Sequence, residues 1–364
     1  MATLPASAET GVSFKPENLF GRHCAVLGAT GGGKSWTVAR IIEQAALLNA
    51  KVILLDATGE FHRLDAGVNH LHIGDDPHKS PGSSEEVVVP YFQLVEADLL
   101  SLFKPSGQAQ APKFRAAMKT LKLVKVAPVL PVNNGVFVKA GKRKADFERE
   151  MKTHSAAVEG PRADFDITKL ARQIDEECIW PNGGTGTSPD PTTWGRMDDG
   201  QRSYCVSLIT RIEDILGSNE LGCILQPQGK TSLFDRIDTF LSNQQGRVLR
   251  VSMKYLPFSH SAREIVANAI GRHLLNLGRL RRFRLKPVFV FLDEAHQFLD
   301  KTLGDENTKY ALDSFELIAK EGRKFCLNIC IATQRPRDIP EGVISQMGTL
   351  IVSAVTQNQP VRVE

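Results

Sequence analysis

The chain is 364 residues long, with 42% hydrophobic and 24% charged residues and a formal net charge of +4. This profile is typical of an ordinary globular protein, long enough for two domains or for one large domain with an insertion. No apolar run reaches the roughly 18 residues that a membrane-spanning helix needs. The first residues also lack the basic start and apolar core of a secretory signal. The sequence therefore predicts a cytoplasmic protein with no membrane segment.

The six cysteines give no sign of a metal site. No two of them form a CxxC pair, and a zinc site needs paired, closely spaced ligands. Cys24, Cys326 and Cys330 fall inside apolar stretches. We predict that all six cysteines are reduced and that most lie in the core.

The first predicted element, after a leader of residues 1–22, is an apolar strand at residues 23–27. A glycine-rich turn follows, and then a helix in which four apolar residues share one face: Val38, Ile41, Ile42 and Ala45. The next strand, residues 52–55, ends at Asp56. Strand, turn, helix and strand make a βαβ unit, which implies a parallel sheet.

The character of the sequence changes after a predicted loop at residues 74–85 and a predicted strand at residues 87–92. From residue 96 to residue 244, helical patches such as 96–103 and 113–126 alternate with a polar, Pro- and Gly-rich stretch, 180–200. We interpret residues 96–244 as a partly helical insertion with one long exposed loop. Residues 23–95 and 245–364 then form the core.

Strand-like runs return after the insertion. Four are predicted, at residues 247–251, 288–292, 327–332 and 349–354. Helices are predicted between them at residues 262–277 and 308–320, because apolar residues there recur at helical spacing. Alternating strands and helices predict an α/β fold with a RecA-like, mainly parallel sheet.

Residues 28–35, GATGGGKS, fit the pattern GxxxxGK[ST] at every fixed position, between a strand and a helix. This combination predicts the phosphate-binding loop of a P-loop nucleoside triphosphatase core. Glycines let backbone N–H groups turn inward around phosphates, and the helix N-terminus adds its positive dipole end. Lys34 would contact the β- and γ-phosphates, and Ser35 would coordinate Mg²⁺. The alternative is a glycine-rich turn with a chance lysine.

The predicted nucleotide is ATP, since no guanine-reading NKxD element is present. The predicted nucleotide-binding residues are Gly28, Thr30, Gly31, Gly32, Gly33, Lys34, Ser35 and Trp36.

Two acidic residues end the strand at residues 288–292. Asp293 would hold Mg²⁺ through water, and Glu294 would activate the attacking water as general base. An exposed Asp-Glu pair at a strand end is the alternative. The phosphate-binding loop upstream favours the catalytic interpretation.

Gln334 and Arg323 are further candidates for catalytic roles. Gln334 follows the strand at residues 327–332, where a polar side chain could sense the γ-phosphate; a simple loop glutamine is the alternative. Arg323 is predicted as an arginine finger that reaches the nucleotide of a neighbouring subunit. A charged residue that caps a helix C-terminus explains Arg323 equally well.

Basic residues concentrate in two runs. Residues 113–152 contain eleven Lys or Arg against three acidic residues, and residues 272–286 contain six against none. Such runs are either solvated surface or phosphate contacts, and the sequence leaves both open. The candidate DNA contacts are Arg279, Arg281, Arg282, Arg284, Lys142, Arg143 and Lys144.

Five segments together resemble the HerA branch of the HerA–FtsK motor ATPases. They are LGATGGGKSWTVARI, LLDATGEF, RVLRVSMKYLPFSHSAREIVANAI, VFVFLDEAHQFL and IAKEGRKFCLNICIATQRPRDIPEGVISQMGTLIV. The resemblance implies a homohexameric ring that pumps double-stranded DNA and works with a nuclease partner. It also assigns the roles given above to Lys34, Ser35, Asp293, Glu294, Gln334 and Arg323, and a supporting role to Asp56 and Glu60.

The sequence departs from the family pattern at both ends. Family members usually begin with a small β-barrel, whereas about 22 residues precede the first strand predicted here, and the C-terminal part is short. Ring assembly or partner docking is therefore expected to differ.

Three functions are compatible with these residues. The leading hypothesis is an ATP-driven translocase or helicase for DNA, acting with a nuclease or other effector in DNA end processing or antiviral defence. The second is an ATP-dependent assembly factor that activates a toxic effector with little translocation. The third, a conjugation- or secretion-type ATPase, should carry a membrane anchor, and we rank it last.

Overall fold

The computed structural model describes residues 21–353 with short gaps, together with parts of the first twenty residues. The gaps are residues 30, 49, 65–66, 77–83, 161, 228, 300–301 and 304–309. Upstream, residues 2–4, 7–12, 15–16 and 19 are described.

Within these residues the strands are β1 (Ala2–Leu4), β2 (Ser7–Val12), β3 (His23–Leu27), β4 (Lys51–Asp56), β5 (Val68–Ile73), β6 (Glu85–Val87), β7 (Val132–Asn133), β8 (Val136–Phe137), β9 (Gly183–Thr185), β10 (Ser188–Asp190), β11 (Val248–Ser252), β12 (Val288–Leu292), β13 (Thr302–Leu303), β14 (Tyr310–Ala311), β15 (Leu327–Thr333) and β16 (Met347–Val352).

The α-helices are α1 (Lys34–Leu47), α2 (Glu96–Phe103), α3 (Gly107–Val126), α4 (Lys144–Thr153), α5 (Ser155–Val158), α6 (Leu170–Glu176), α7 (Asp199–Gly217), α8 (Gly222–Leu225), α9 (Leu233–Ser242), α10 (Ala262–Arg279), α11 (Ser314–Glu321) and α12 (Glu341–Ile344). Short 3₁₀ segments lie at Glu60–Arg63, Tyr91–Gln93, Ile167–Lys169, Asn219–Leu221, Ser259–Ser261, Ala295–Gln297, Gly322–Phe325 and Pro336–Asp338.

Eight strands form one sheet in the order β16-β3-β15-β12-β4-β11-β5-β6, and every pairing between neighbours is parallel. Strands β3, β4, β11, β12 and β15 are buried along their whole length. Continuous apolar runs are expected for parallel strands covered on both faces. The predicted α/β class with a mainly parallel sheet is therefore confirmed.

The two faces of the sheet carry different helices. Alternate residues of the central strands point to opposite faces. Ile53 and Val290 join the apolar core that also contains α10, whereas Leu54 and Phe291 pack with the buried face of α1. All parallel strands end at the same edge of the sheet, and the loops that follow β3, β4, β11, β12 and β15 meet there.

The insertion does not stand apart from the sheet. Buried residues of α2, α3, α6, α7 and α9 belong to the same apolar core as β12 and α10. A separate small cluster lies beyond them and contains Leu123, Phe137 and Phe147. The predicted partly helical character of residues 96–244 is confirmed. The domain boundaries themselves stay a prediction.

The stretch 180–200 was expected to be one long exposed loop, which is wrong in two respects. Strands β9 and β10 pair as an antiparallel hairpin inside it, and α7 begins at Asp199. Trp194 packs edge-on against Phe147, with ring centroids 5.5 Å apart. This aromatic contact joins residues distant in sequence, so it could not be recognised from local composition.

Three other boundaries differ from the prediction. Strands β1 and β2 pair within the leader, so the strand at residues 23–27 is not the first. The strand expected at residues 87–92 ends at Val87, and Pro90, which has no N–H to donate, precedes a 3₁₀ turn. The helix expected from residue 308 begins at Ser314, whose N–H donates to Asn268 Oδ1 at 3.0 Å. Residues 304–309 lie outside the described part of the chain.

Five of the six cysteines are buried and Cys326 is partly buried, as predicted for core residues. Among the described residues, no helix combines the length and apolar composition needed to cross a membrane.

Candidate functional site

The glycine-rich turn lies between β3 and α1, at the edge where the parallel strands end. Gly31 and Gly33 have φ angles of 77° and 82°, a left-handed conformation that glycine adopts without steric cost. The turn leads directly into α1, which begins at Lys34. Backbone N–H groups at such a helix start favour an anion. Thr30, a predicted nucleotide contact, lies outside the described residues.

Lys34 is buried and meets both predicted acids. Its Nζ forms an ion pair with Glu294 Oε1 and lies 3.5 Å from Asp293 Oδ1. Residues 34 and 293–294 are far apart in the chain, so this contact depends on the sheet order, which sets β3, β15 and β12 side by side. The structure thus brings together the two motifs that the sequence predicted separately.

Asp293 is almost completely buried, with 1% of its surface exposed. Burial raises the pKa of its carboxyl to about 7, although nearby Lys34 favours the charged form. Its Oδ2 has no hydrogen-bond partner among the described residues. A buried carboxylate oxygen without a partner is costly, so this atom is a natural site for a water or a cation.

Glu294 has a left-handed backbone, with φ of 46°, which is uncommon for a residue other than glycine. Its Oε2 lies 3.3 Å from His296 Nδ1, and that nitrogen lies 3.1 Å from Thr333 Oγ1. Burial lowers the pKa of His296, so its ring is mainly neutral at pH 7. His296 and Thr333 were not predicted as site residues, although Thr333 ends the buried strand β15 and His296 lies two residues after Glu294 in the turn after β12.

Ser35 and Glu60 form a second contact across the site. The Ser35 hydroxyl donates to Glu60 Oε2 at 2.9 Å. Glu60 occupies this position because Asp56 holds the turn after β4: the carboxylate accepts the N–H of Gly59 at 2.8 Å and of Phe61 at 3.1 Å. Arg250 Nε donates to the same carboxylate at 2.7 Å. Asp56 therefore organises the turn, while Glu60 faces the serine.

Gln334 and Trp36 lie beside this cluster in the chain. Gln334 directly follows β15, whose partner strand β12 carries the acidic pair at the same edge. Trp36 follows Ser35 on the first turn of α1 and is 71% exposed. Arg40 lies over that ring, 5.8 Å from its centroid. The roles of both residues stay predictions.

Arg323 lies at the opposite edge of the sheet. It is exposed and precedes the first residue of β15, and a strand of that length spans about 20 Å. Arg323 therefore cannot reach the phosphate-binding loop of its own chain. With Lys320 and Lys324 it lines a cavity of about 770 Å³ at this edge.

The candidate DNA residues have different environments. Arg281, Arg282 and Arg284 are exposed in the connector between α10 and β12, which enters β12 from the edge opposite the phosphate-binding loop. Arg279 was expected to lack a neutralising acid, which is wrong, because its Nη2 lies 3.5 Å from Glu321 Oε2. Lys142 and Arg143 are exposed, and Lys144 donates to Asn182 at 3.1 Å.

These residues fit a triphosphate with Mg²⁺. Within the described ranges no group of three or more His, Cys, Asp or Glu side chains could hold a metal alone. Magnesium usually takes one or two protein ligands and completes its shell with phosphate oxygens and water. The Ser35 hydroxyl, the unpartnered Asp293 oxygen and the glycine turn supply that incomplete set.

The sequence family described as "Helicase HerA, central domain" matches residues 2–169. A probable helicase of Methanocaldococcus jannaschii is 24% identical over 97% of this chain and 60% of its own length. The "DNA double-strand break repair helicase HerA" of Sulfolobus acidocaldarius is 24% identical over 93% of this chain and 56% of its own. The chain thus spans less than two thirds of these relatives.

Among solved structures, the plasmid coupling protein TrwB with a non-hydrolysable ATP analogue has a TM-score of 0.49 at 13% identity, covering 92% of this chain and 71% of TrwB. VirB4 of Thermoanaerobacter pseudethanolicus has a TM-score of 0.46 at 12% identity, covering 90% of this chain and 73% of VirB4. The family match over residues 2–169 and the relatives along nearly the whole chain confirm the predicted resemblance to the HerA branch of the HerA–FtsK motor ATPases.

Proposed function

We propose that this chain binds ATP with Mg²⁺ and hydrolyses it to translocate or unwind double-stranded DNA. It acts as a subunit of a homo-oligomeric ring, a hexamer, together with a nuclease or other effector. The main support is the buried cluster at the mouth of the phosphate-binding loop, where Lys34 meets Glu294 and Asp293. Among its relatives, one is named a probable helicase and another a repair helicase.

Lys34 and Glu294 form a buried ion pair. A γ-phosphate would compete with Glu294 for the lysine ammonium, because both are anions seeking the same buried cation. Binding would thereby free Glu294 to accept a proton from the attacking water. Nucleotide binding and activation of the base are thus linked through one side chain.

Magnesium, when bound, would neutralise charge on the β- and γ-phosphates. Ser35 would contribute its hydroxyl, and Asp293 its partnerless oxygen through water. Glu60, which accepts the serine hydrogen bond, would orient that hydroxyl. His296 Nδ1 lies 3.3 Å from the Glu294 oxygen that does not contact Lys34, and that oxygen has no hydrogen-bond partner among the described residues. Gln334 would contact the γ-phosphate or its water.

The position of Arg323 supports an oligomer. Arg323 is exposed at the sheet edge about 20 Å from this site along β15. A neighbouring copy would place its Arg323 against this site. Such a finger stabilises the charge that develops in the transition state.

The connector residues Arg281, Arg282 and Arg284 support contact with DNA phosphates. None of the three forms an ion pair with another described residue, so their charge is available to a polyanion. The name of the Sulfolobus relative supports DNA end processing as the process served. The nuclease partner, antiviral defence and cytoplasmic location remain parts of the hypothesis that rest on the sequence resemblance.

The decisive experiment measures ATP turnover with and without linear duplex DNA, using the wild type and Glu294→Gln. A strong increase in wild-type turnover on adding DNA, absent in the variant, is the expected result. ATP turnover that DNA leaves unchanged would favour the assembly factor over the motor. No turnover at all would contradict both.

A further inference from the structure

Arg263 is a buried arginine near the start of α10, at the edge of the sheet where the strands end. The exposed ring of Phe258 covers its guanidinium, whose Cζ lies 3.7 Å from the ring centroid. The two residues before the helix, His260 and Ser261, have φ angles of 56° and 54°. Left-handed conformations at non-glycine residues cost free energy and persist where the surroundings require them.

The guanidinium donates to three separate loops. Nε donates to Leu256 O at 2.9 Å, and Nη2 to Lys254 O at 3.2 Å, in the loop after β11. Nη1 donates to Ala57 O at 3.3 Å, in the turn after β4. Nη1 also donates to Gln297 Oε1 at 2.8 Å, in the turn after β12.

Two of these loops carry opposite sides of the nucleotide site. The turn after β4 leads from Ala57 to Glu60, which accepts the Ser35 hydroxyl. The turn after β12 begins with Asp293 and Glu294, and the N–H of Gln297 donates to Glu294 O at 2.8 Å. The rigid guanidinium of Arg263 therefore connects the turn that carries Glu60, beside Ser35, with the turn that carries Asp293 and Glu294.

We infer that Arg263 is a positioning residue that fixes the distance between Glu60 and the pair Asp293–Glu294. The inference rests on the proposed ATP hydrolysis. The planar fork of arginine bonds several acceptors in fixed directions, whereas a lysine ammonium is a single compact charge. Lysine at this position would keep the positive charge but could not donate hydrogen bonds to Ala57 and Gln297 at the same time.

The test compares Arg263→Lys, Gln297→Leu and the double variant with the wild type. We expect Arg263→Lys to lower kcat about 10- to 100-fold, the range for removing a residue that orients site groups, and to raise the Mg²⁺ concentration for half-maximal turnover. KM for ATP should change little, since the phosphate-binding loop is untouched. The kcat of the double variant should be no lower than that of Arg263→Lys, because both changes break the hydrogen bond between Arg263 and Gln297.

Arg272→Lys is the matched control, since Arg272 lies on the same helix and pairs with buried Asp98 at 2.6 Å, away from the site. It should lower the melting temperature without changing kcat or the Mg²⁺ requirement. If Arg263→Lys behaves like this control, or if its effect on kcat adds fully to that of Gln297→Leu, the positioning role is wrong.

A failure of the proposed ATP hydrolysis can be distinguished from a failure of the positioning role. If wild-type turnover does not exceed that of Lys34→Ala, hydrolysis is absent, and the positioning role is then measured by binding of a fluorescent ADP analogue at increasing Mg²⁺. Arg263→Lys should need more Mg²⁺ than the wild type and Arg272→Lys. Equal requirements in all three proteins would overturn the inference.

Discussion

The two edges of the main sheet hold their charges in opposite ways. At the edge where the strands end, Lys34, Asp293 and Glu294 are buried and contact one another. At the edge where the strands begin, Arg323 and the connector arginines face solvent. The buried titratable side chains at this edge include His23 and Lys51, and Lys51 donates to backbone carbonyls, one of them Gly246 O at 2.6 Å.

This difference separates chemistry from recognition. Charges held in a dry cluster interact strongly and stay oriented, so the first edge can perform a reaction within one chain. Exposed arginines at the second edge gain little by themselves, because water screens them. They become effective when another molecule covers them, and a second copy of the chain or a polyanion would do so.

The largest effect is expected at the buried edge. Lys34→Ala should abolish tight ATP binding and turnover, because the charge on the phosphates is removed. Glu294→Gln should bind ATP at least as tightly as the wild type, since the competing carboxylate is neutral, and lose turnover by about 10²- to 10⁴-fold. Nucleotide titrations and steady-state turnover measure both.

Lys51→Met is the matched control for Lys34→Ala, since Lys51 is a buried lysine at the other edge. It should keep nucleotide affinity. Equal ATP affinity in Lys34→Ala and the wild type would show that Lys34 does not bind the phosphates.

The next effect concerns Arg323. Arg323→Ala should keep nucleotide affinity and lose turnover by up to about 10³-fold, because a transition-state charge is left uncompensated. Lys324→Ala, in the same turn and cavity, is the control and should stay near the wild type. Mixing Arg323→Ala with Glu294→Gln protein should restore part of the activity, since mixed interfaces contain intact sites. No recovery in rings shown to be mixed would contradict a finger acting between subunits.

A smaller effect is expected for DNA. Replacing Arg281, Arg282 and Arg284 by Ala should make the slope of log binding constant against log salt concentration less negative. The change should be up to about 2.7, since each phosphate contact contributes about 0.9 to the slope. DNA-stimulated turnover should fall and basal turnover should persist. The measurement is a DNA titration at several salt concentrations.

The control for that triple variant comes from the other basic run. Arg115, Lys119 and Lys125 each contact an acidic residue: Glu96 at 2.6 Å, Glu159 at 2.5 Å and Asp164 at 3.4 Å, respectively. Replacing these three by Ala should leave the salt slope unchanged. Equal salt slopes for both triple variants would show that the connector arginines do not contact DNA phosphates.

The smallest effect concerns stability against pH. Burial and nearby Arg323 lower the pKa of His23 to about 4 from its usual 6.5. The folded chain therefore resists protonation that the unfolded chain accepts, so stability is complete above pH 6.5 and falls as pH drops toward 4. The loss from this residue is on the order of 3 kcal/mol at most. Asparagine at this position can still accept the Ile329 N–H. The free energy of unfolding of His23→Asn should therefore fall less steeply with decreasing pH than that of the wild type.

Urea unfolding of both proteins between pH 4.5 and 7 measures that difference. Parallel curves for His23→Asn and the wild type would show that His23 is not the titrating group.

Elements with a strong local pattern were predictable from the sequence. Strand β12 coincides with the predicted residues 288–292, and β3 with 23–27, because continuous apolar runs bounded by glycine or acidic residues specify buried parallel strands. The contact between Lys34 and the acidic pair depends on the order of the strands in the sheet, which the sequence motifs do not specify. The 3₁₀ turn after Pro90 and the late start of α11 were missed, because they depend on contacts with distant residues.

The phosphate-binding loop, the acidic pair and the parallel sheet could be predicted from the sequence, since each is encoded by neighbouring residues with fixed spacing. The pairing of charges, by contrast, depends on contacts between distant residues in the folded chain. The acids that neutralise Arg115, Lys119 and Lys125 lie up to 40 residues away, and Arg263 reaches two loops from other strands. A local count of charges cannot detect such partners, because folding brings them together through the core and not through the chain.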